Sequence, residues 1–334
     1  MDMSSIISNE ATDASLFEFK KNKKGEVSII NYFGDDRIVV IPETLDGGVV
    51  KELSKGAFKD NDTVYEVVMP DCIETVRGGS FVKCRNLKKV HLSEKLSRIV
   101  KNTFIECTAL EEVNIPDNTA ELKADTFVYA QLNKLHIGKS LQRIEEGAFF
   151  TEKREVLGLD ADPSMFKPPK GRNTKDITID PQNNYLRVVD SMILSADGKT
   201  LWVMLGGNKT CTIPVGVETI KKGAFSMQGQ LENVVFPRSL KVIEENAFLC
   251  CRGLSSLVFN EGLEVIRNGA FFDVPVPVVN LPPTLKRLGP ESFILFQYYG
   301  NISFKQDIHI DPQNPYLWSD GSAIYMKDPG VHSD

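Results

Sequence analysis

The chain has 334 residues, of which 42% are hydrophobic and 25% charged, with a formal net charge of −6. That is the composition of an ordinary folded protein, and its mild acidity offers none of the basic footprint expected of a DNA- or RNA-binding chain. No stretch approaches the ~18 consecutive apolar residues of a membrane-spanning helix, so membrane insertion is not expected, and Met1–Asp2–Met3–Ser4–Ser5 lacks the basic-then-apolar pattern of a signal peptide.

In chain order, the segment from Phe17 to Val40 reads as a β-hairpin around the basic run Lys20–Lys21–Asn22–Lys23–Lys24 and Gly25. A solvated turn is the ordinary reading of such a run, with a glycan or phosphate contact as the alternative. Residues 1–41 are therefore expected to form an N-terminal β-hairpin cap. From about residue 42 to 160 the chain repeats itself on Phe58, Phe81, Phe104, Phe127 and Phe149, and from 214 to 305 on Phe225, Phe248, Phe271 and Phe293, at spacings of 22 or 23 residues within each group.

Other columns keep step with the phenylalanines. Two places before each Phe stand Gly56, Gly79, Asn102, Asp125, Gly147, Gly223, Asn246, Gly269 and the exception Glu291. Gly, Asn and Asp tolerate left-handed backbone angles, so this column predicts a tight corner. An aliphatic lies five residues before each Phe, and another eight before, where Thr119 alone breaks the column. After the Phe come short alternating runs such as Leu87-x-x-Val90-x-Leu92, Leu110-x-x-Val113-x-Ile115 and Leu254-x-x-Leu257-x-Phe259, which read as half-buried strands. One such coil cannot bury its own apolar side chains. Stacking places like on like, and the strands must then run parallel about 4.8 Å apart.

Between the arrays, residues 161–213 hold a loop rich in Pro and Lys. There follow the phrase Asp176–Ile177–Thr178–Ile179–Asp180–Pro181–Gln182–Asn183 and a hairpin signalled by Asp197–Gly198 between apolar runs. Before this loop, Leu157–Gly158–Leu159 reads as one more strand of the first array. The phrase returns as Asp307–Ile308–His309–Ile310–Asp311–Pro312–Gln313–Asn314, offset by 131 residues, and opens a tail over residues 306–334. That tail is expected to cap the second array; a chain continuing into a third array is the alternative.

Ile144–Glu145–Glu146–Gly147–Ala148–Phe149 and Ile220–Lys221–Lys222–Gly223–Ala224–Phe225, together with the strand pattern, resemble the BspA-like branch of the leucine-rich repeats, whose unit reads roughly L-x-x-V-x-I-P…L-x-x-I-x-x-G-A-F-x-x-C. The resemblance runs from about Val39 to Phe304. It implies a leucine-rich-repeat solenoid: a parallel β-sheet coil with short helical turns on the opposite side, and β-hairpin insertions and caps. It also implies a bacterial surface or secreted protein associated with adhesion, although fold alone does not fix activity. With no export signal visible, a chain that stays inside the cell, or one whose start has been trimmed, remains the alternative.

No catalytic set emerges from spacing, and an enzyme is not expected. Cys84, Cys107 and Cys251 share one column, three residues after a repeat Phe, and read as small buried residues. Cys72, Cys211 and Cys250 show no zinc-type spacing, so neither a metal nor a cofactor is expected, nor any disulfide. Asp60–Asn61–Asp62 and Asp160–Ala161–Asp162 lack the loop pattern of strong calcium sites and read as turns. Trp202, Tyr298, Tyr299, Tyr316 and Trp318 read as capping residues, with interface anchors as the alternative.

The one rigid, laterally repeated surface is the outward face of the strands. In the first array it carries Glu66, Val68, Lys89, His91, Glu112, Asn114, Lys134 and His136, whose alternating charges favour cross-strand pairs. In the second array it carries Asn233, Val235, Ser256, Val258, Val278 and Asn280, where outward valines in a row suggest a contact surface. Lys89, His91, Glu112, Asn114, Lys134, His136, Val235 and Val258 are thus the partner-binding candidates. The expected partner is a protein or glycan; a structural spacer within a larger surface protein and an intracellular interaction scaffold are the rival functions.

Overall fold

The computed structural model describes residues 10–145, 147–149, 174–293, 306–320 and 324–326. The strand expected at Leu157–Leu159, the acidic turn at Asp160–Asp162, Tyr298, Tyr299 and His332 lie outside these. The chain divides into two compact units, Met1–Phe149 with Asp176–Tyr185, and Phe150–Lys175 with Leu186–Asp334.

In the first unit, Ile38–Val40, Glu66–Val68, Lys89–His91, Glu112–Ile115, Lys134–Ile137 and Asp176–Ile179 pair in that order, each parallel to its neighbour. Register places Val39, Val67, Val90, Val113, Leu135 and Ile177 in one file, and all but the last are buried. On the other side of each coil two-residue strands stack likewise: Arg98–Ile99, Glu121–Leu122 and Arg143–Ile144. The segment 176–185, read from sequence as part of the inter-array region, adds the last strand of this unit.

The core lies between these two sides, and the phenylalanines form its spine. Phe58, Phe81, Phe104 and Phe127 stack with ring centroids 5.1, 5.3 and 5.5 Å apart, and Phe149 follows at 5.4 Å. The N-terminal hairpin, Phe17–Lys21 antiparallel to Val27–Tyr32, prolongs the same file: Tyr32 lies 5.4 Å from Phe58, and Phe17 lies 5.1 Å from Tyr32. A cap that supplies its own rings and lays a strand parallel to Gly48–Leu53 covers both the apolar end and the open sheet edge. Thr119, the one polar residue in its aliphatic column, is fully buried and donates its hydroxyl to the Leu96 carbonyl at 2.7 Å, so its burial leaves no unpaired group.

The side opposite the sheet is made of separate i→i+3 turns, such as Ala57 N–H to Ser54 O, Lys59 N–H to Gly56 O and Asn61 N–H to Phe58 O. The sole helical element among the described residues is the 3₁₀ turn Ala14–Leu16. Backbone angles explain why the short helical turns stay so short. All nine residues of the column two before each Phe have positive φ, Glu291 included. So do Asp60, Lys83, Glu106, Tyr129, Met227, Cys250 and Asp273, two residues after it. A left-handed residue on each side of the Phe leaves too few consecutive right-handed residues for a helix.

None of this second column is glycine. Left-handed backbone costs an L-residue about 1–2 kcal/mol, whereas a glycine there would bring about 0.4–1 kcal/mol of extra unfolded-chain entropy. Lys83→Gly is therefore expected to stabilise the protein by about 0.5–1 kcal/mol. Urea unfolding midpoints compared at unchanged m-value check this, and a lower midpoint for the variant would count against the strain argument.

Surface charges are matched from coil to coil. Lys51–Glu74, Lys88–Glu111, Lys123–Glu145, Lys139–Asp117, Lys209–Glu232, Lys241–Glu218 and Lys286–Glu264 all join residues one repeat apart, at 2.6 to 3.2 Å. Such exposed pairs stabilise weakly, each at about 0–1 kcal/mol. Their stronger effect is on register, because sliding one coil past another separates them.

The second unit opens with Leu186–Val189, Met192–Ser195 and Thr200–Met204, antiparallel in sequence. The turn at Asp197–Gly198 lies between the last two, with Gly198 at φ 73°. Thr200–Met204 then leads a parallel file of two-residue strands, Thr219–Ile220, Val242–Ile243, Val265–Ile266 and Arg287–Leu288. Phe225, Phe248, Phe271 and Phe293 stack at 4.6, 5.0 and 5.3 Å.

The opposite sheet of this unit is in two pieces. Thr210–Thr212 pairs with Asn233–Val235, and Val278–Leu281 with Asp307–Ile310. Between them the expected strand at Leu254–Phe259 does not form: Leu257 is buried, yet Ser256–Phe259 join no ladder. The inward position that ends each strand is Ile41, Met69, Leu92, Ile115 and Ile137 in the first unit, but Phe236 and Phe259 here. These rings stack on each other at 5.7 Å and meet Phe248 and Phe271 edge-on at 5.9 and 5.6 Å. The ladder is thus open beside the two coils that hold benzyl groups where the others hold aliphatics.

Both copies of the repeated phrase end an array in the same manner. Asn183 Nδ2 donates to the carbonyls of Gly138 and Leu141 at 2.8 and 3.0 Å. Asn314 Nδ2 donates to those of Pro282 and Leu285, both at 3.0 Å. Each Oδ1 then accepts from the chain two residues on, Tyr185 N–H at 2.9 Å and Tyr316 N–H at 2.8 Å. The amide stands in for the coil that would otherwise come next, and leaves no corner carbonyl unpaired.

Candidate functional site: the outward strand faces

In a parallel strand alternate side chains leave the core, and stacking in register lines them up across coils. The first unit places Glu66, Lys89, Glu112, Lys134 and Asp176 in one outward file, and Val68, His91, Asn114, His136 and Thr178 in the next. All six candidates expected here from sequence, Lys89, His91, Glu112, Asn114, Lys134 and His136, thus share one face.

Several of these groups engage one another. Lys89 Nζ lies 3.5 Å from Glu112 Oε1, and His91 Nε2 lies 2.7 Å from Glu66 Oε1, diagonally between adjacent coils. His136 Nδ1 lies 2.9 Å from the Thr178 hydroxyl. Beside this face the Tyr65 ring has cations over it, Arg37 at 5.2 Å and Lys88 at 5.3 Å. Lys89, Glu112, Glu66 and His91 are thus engaged within the face, whereas Lys134 and Asp176 stand exposed on it.

The second unit presents Thr210, Thr212, Asn233, Val235, Ser256, Val258, Val278 and Asn280, all exposed and uncharged, and the strand Asp307–Ile310 continues the two files with Asp307 and His309. Val258 is 77% exposed, Val235 51% and Val278 44%, so aliphatic surface remains in water on three consecutive coils. Sequence reasoning found this file of valines. It missed that the ladder beneath Val258 is open.

The cysteines sit apart from either face. Cys84, Cys107 and Cys251 are buried, and each thiol donates to the carbonyl of a Phe one coil earlier: Phe58 at 2.9 Å, Phe81 at 2.9 Å and Phe225 at 3.0 Å. Their column is therefore a hydrogen-bonding one, a role that Gln228 fills with its side-chain amide toward the Met204 carbonyl. All six cysteines are free thiols. Burial pushes Cys211 and Cys250 up to about 12 and holds Cys107 well above the usual thiol range, so these groups stay protonated and are poor nucleophiles at neutral pH. Among the described residues, no three His, Cys, Asp or Glu side chains are grouped to hold a metal ion, and no helix is long and apolar enough to cross a membrane.

Comparison with known proteins places this architecture. The family model described as "BspA type Leucine rich repeat region (6 copies)" matches residues 39–154 and 207–311. No curated protein matches the chain. Among solved structures, a leucine-rich repeat protein from Bacteroides ovatus is 18% identical with a TM-score of 0.54, over 90% of this chain and 67% of that one. The pneumococcal vaccine antigen PcpA is 14% identical with a TM-score of 0.53, over 89% of this chain and 86% of that one. A leucine-rich repeat protein from Eubacterium ventriosum is 14% identical at 0.51, over 82% and 66%. At such identities the likeness is one of fold.

Proposed function

Since the chain belongs to the BspA-type leucine-rich repeat family, we propose that it is a non-enzymatic binding or adhesion module, taking a protein or glycan partner on the outward strand face of its second array. The observation that carries this reading is the file Val235, Val258 and Val278, left in water on three consecutive coils. Contiguous exposed aliphatics on a rigid sheet are costly unless something covers them. The first-array candidates Lys89, His91, Glu112, Asn114, Lys134 and His136 are secondary in this reading, because a partner there must first compete with the Lys89–Glu112 and His91–Glu66 pairs.

Cell-surface or secreted placement accords with the family and with the vaccine-antigen description of the pneumococcal structure. A spacer role within a larger surface protein has its own support in the self-paired charges of the first array. An intracellular scaffold is the further rival, favoured by six free thiols.

The test is capture of partners on the immobilised full chain, wild type against Val235→Glu with Val258→Glu. Both sites are exposed, so the fold is expected to survive, as urea unfolding checks. Recovery of the specific partner is expected to fall at least about tenfold, because an unpaired carboxylate buried in an apolar contact costs upwards of about 1–3 kcal/mol. Lys89→Glu with Lys134→Glu should leave recovery within about threefold, well under the ~1.4 kcal/mol of a tenfold change. Survival of every captured partner in the valine variant would remove this face from consideration.

A further inference from the structure

Beyond the second array, Leu317–Ser319 pairs antiparallel with Ile324–Met326. This hairpin has the register of the one that opens that array. Leu317 faces Met326, Trp318 faces Tyr325 and Ser319 faces Ile324. Leu186 faces Ser195, Arg187 faces Leu194 and Val188 faces Ile193 in the same way, every residue displaced by 131 positions.

What lies on the two hairpins differs. Thr200–Met204 runs antiparallel to Met192–Ser195 and parallel to Thr219–Ile220, and so leads the chain from the hairpin into the array. The first array opens likewise: Val27–Tyr32 is antiparallel to Phe17–Lys21 and parallel to Gly48–Leu53. Ile324–Met326 holds the place of Met192–Ser195, yet among the described residues it pairs with Leu317–Ser319 alone.

Burial follows the same division. One face of the terminal hairpin is used, since Leu317 is buried in the core of the second unit and Ile324 packs against it. The other face is open. Leu194 is 0% exposed in the second unit's core, whereas Tyr325, in the corresponding place, is 39% exposed. Trp318 stacks on Tyr325 at 4.6 Å and is 45% exposed, and Met326 is exposed beside them. A strand that ends a sheet is normally blunted by charge, proline or a bulge. The N-terminal hairpin obeys this, with Glu18, Lys20 and Lys21 exposed on its edge strand. Neither strand of the terminal hairpin carries a charge or a proline.

We infer that this hairpin is a seat for a further array of the same parallel coils and not a closing cap. The incoming strand lies antiparallel to Ile324–Met326, as Thr200–Met204 lies on Met192–Ser195, and the coil that follows covers Trp318 and Tyr325. The occupant is continuous with this polypeptide, as both arrays are with their own opening hairpins. Two three-residue strands offer only about 10 by 10 Å, far below the ~800 Å² per partner of a stable protein–protein interface. A second copy of the chain has too little surface to hold there.

Inserting a duplicate of residues 196–326 between Met326 and Lys327 tests this in the full chain, because it sets a known array on the terminal hairpin at the natural offset. Each peptide of the duplicated region is then present twice in hydrogen exchange read by mass spectrometry. One slowly exchanging population is expected for peptides containing Phe225 or Phe248. A second population of equal size, exchanging as unfolded chain, overturns the inference. Tyr325→Lys at the junction supplies the contrast. It keeps a partner for Asp320, to which Tyr325 Oη donates at 2.9 Å, so the urea midpoint of the original chain should not move. In the extended chain it should make half of the duplicated signal exchange at least tenfold faster. Equal effects in the two chains, or none in the extended one, count against the seat. So does a dimer of the original chain, seen by light scattering, that Tyr325→Lys abolishes, because the face would then belong to a second copy.

Discussion

Replacing Phe104 by alanine is expected to destabilise the protein by about 3–5 kcal/mol, the range for deleting a fully buried phenyl group. The ring is 0% exposed and sits between Phe81 at 5.3 Å and Phe127 at 5.5 Å, nearly parallel to both. Both lost stacking contacts and the cavity count against the variant, and the cavity cannot readily close. Coil spacing on each side is pinned by main-chain bonds, Phe81 N–H to Thr103 O and Phe104 N–H to Thr126 O among them. Equilibrium unfolding in urea measures the loss, and a curve superimposable on wild type would show that the phenylalanine file does not carry the stability assigned to it.

Asn314→Ala is expected to cost about 2–4 kcal/mol, since each buried polar group left unpaired costs about 1–3 kcal/mol. The side chain is 3% exposed and serves four main-chain groups: the carbonyls of Pro282 and Leu285, and the amides of Tyr316 and Leu317. The damage should be local to the end of the second array. Native-state hydrogen exchange is expected to speed up at Leu317 and the neighbouring amides while amides of the first array, such as Val113, keep their protection, as expected where each coil contacts only its neighbours. Uniform acceleration along the whole chain would contradict that local role.

Much of the fold was legible in the residues. Nine phenylalanines in two groups, the small residue before each and the aliphatics five and eight places earlier specify one coil and its inward side chains. The corner two residues before each Phe was legible because Gly, Asn and Asp fill it almost throughout. Its counterpart two residues after the Phe was not: Asp, Lys, Glu, Tyr, Met and Cys all stand there with positive φ. No residue preference marks a position that tertiary packing forces into left-handed geometry. The outward valines could be read off the strand period, whereas the paired fate of Glu66 and His91 depended on a diagonal reach between adjacent coils.

The sequence by itself determined the period and the inward columns, because these arise from local side-chain alternation, whereas the phrase from Asp176 was read as lying between the arrays and proves to add the last strand of the first unit. Tertiary structure alone decided where the ladder opens. Phe236 and Phe259 each fit the apolar pattern of their own coil, and only in the stacked coils do they meet each other, beside the segment where the ladder is open. Strand pairing depends on two neighbouring coils at once, so no single repeat contains it, and this difference between the two faces arises between repeats.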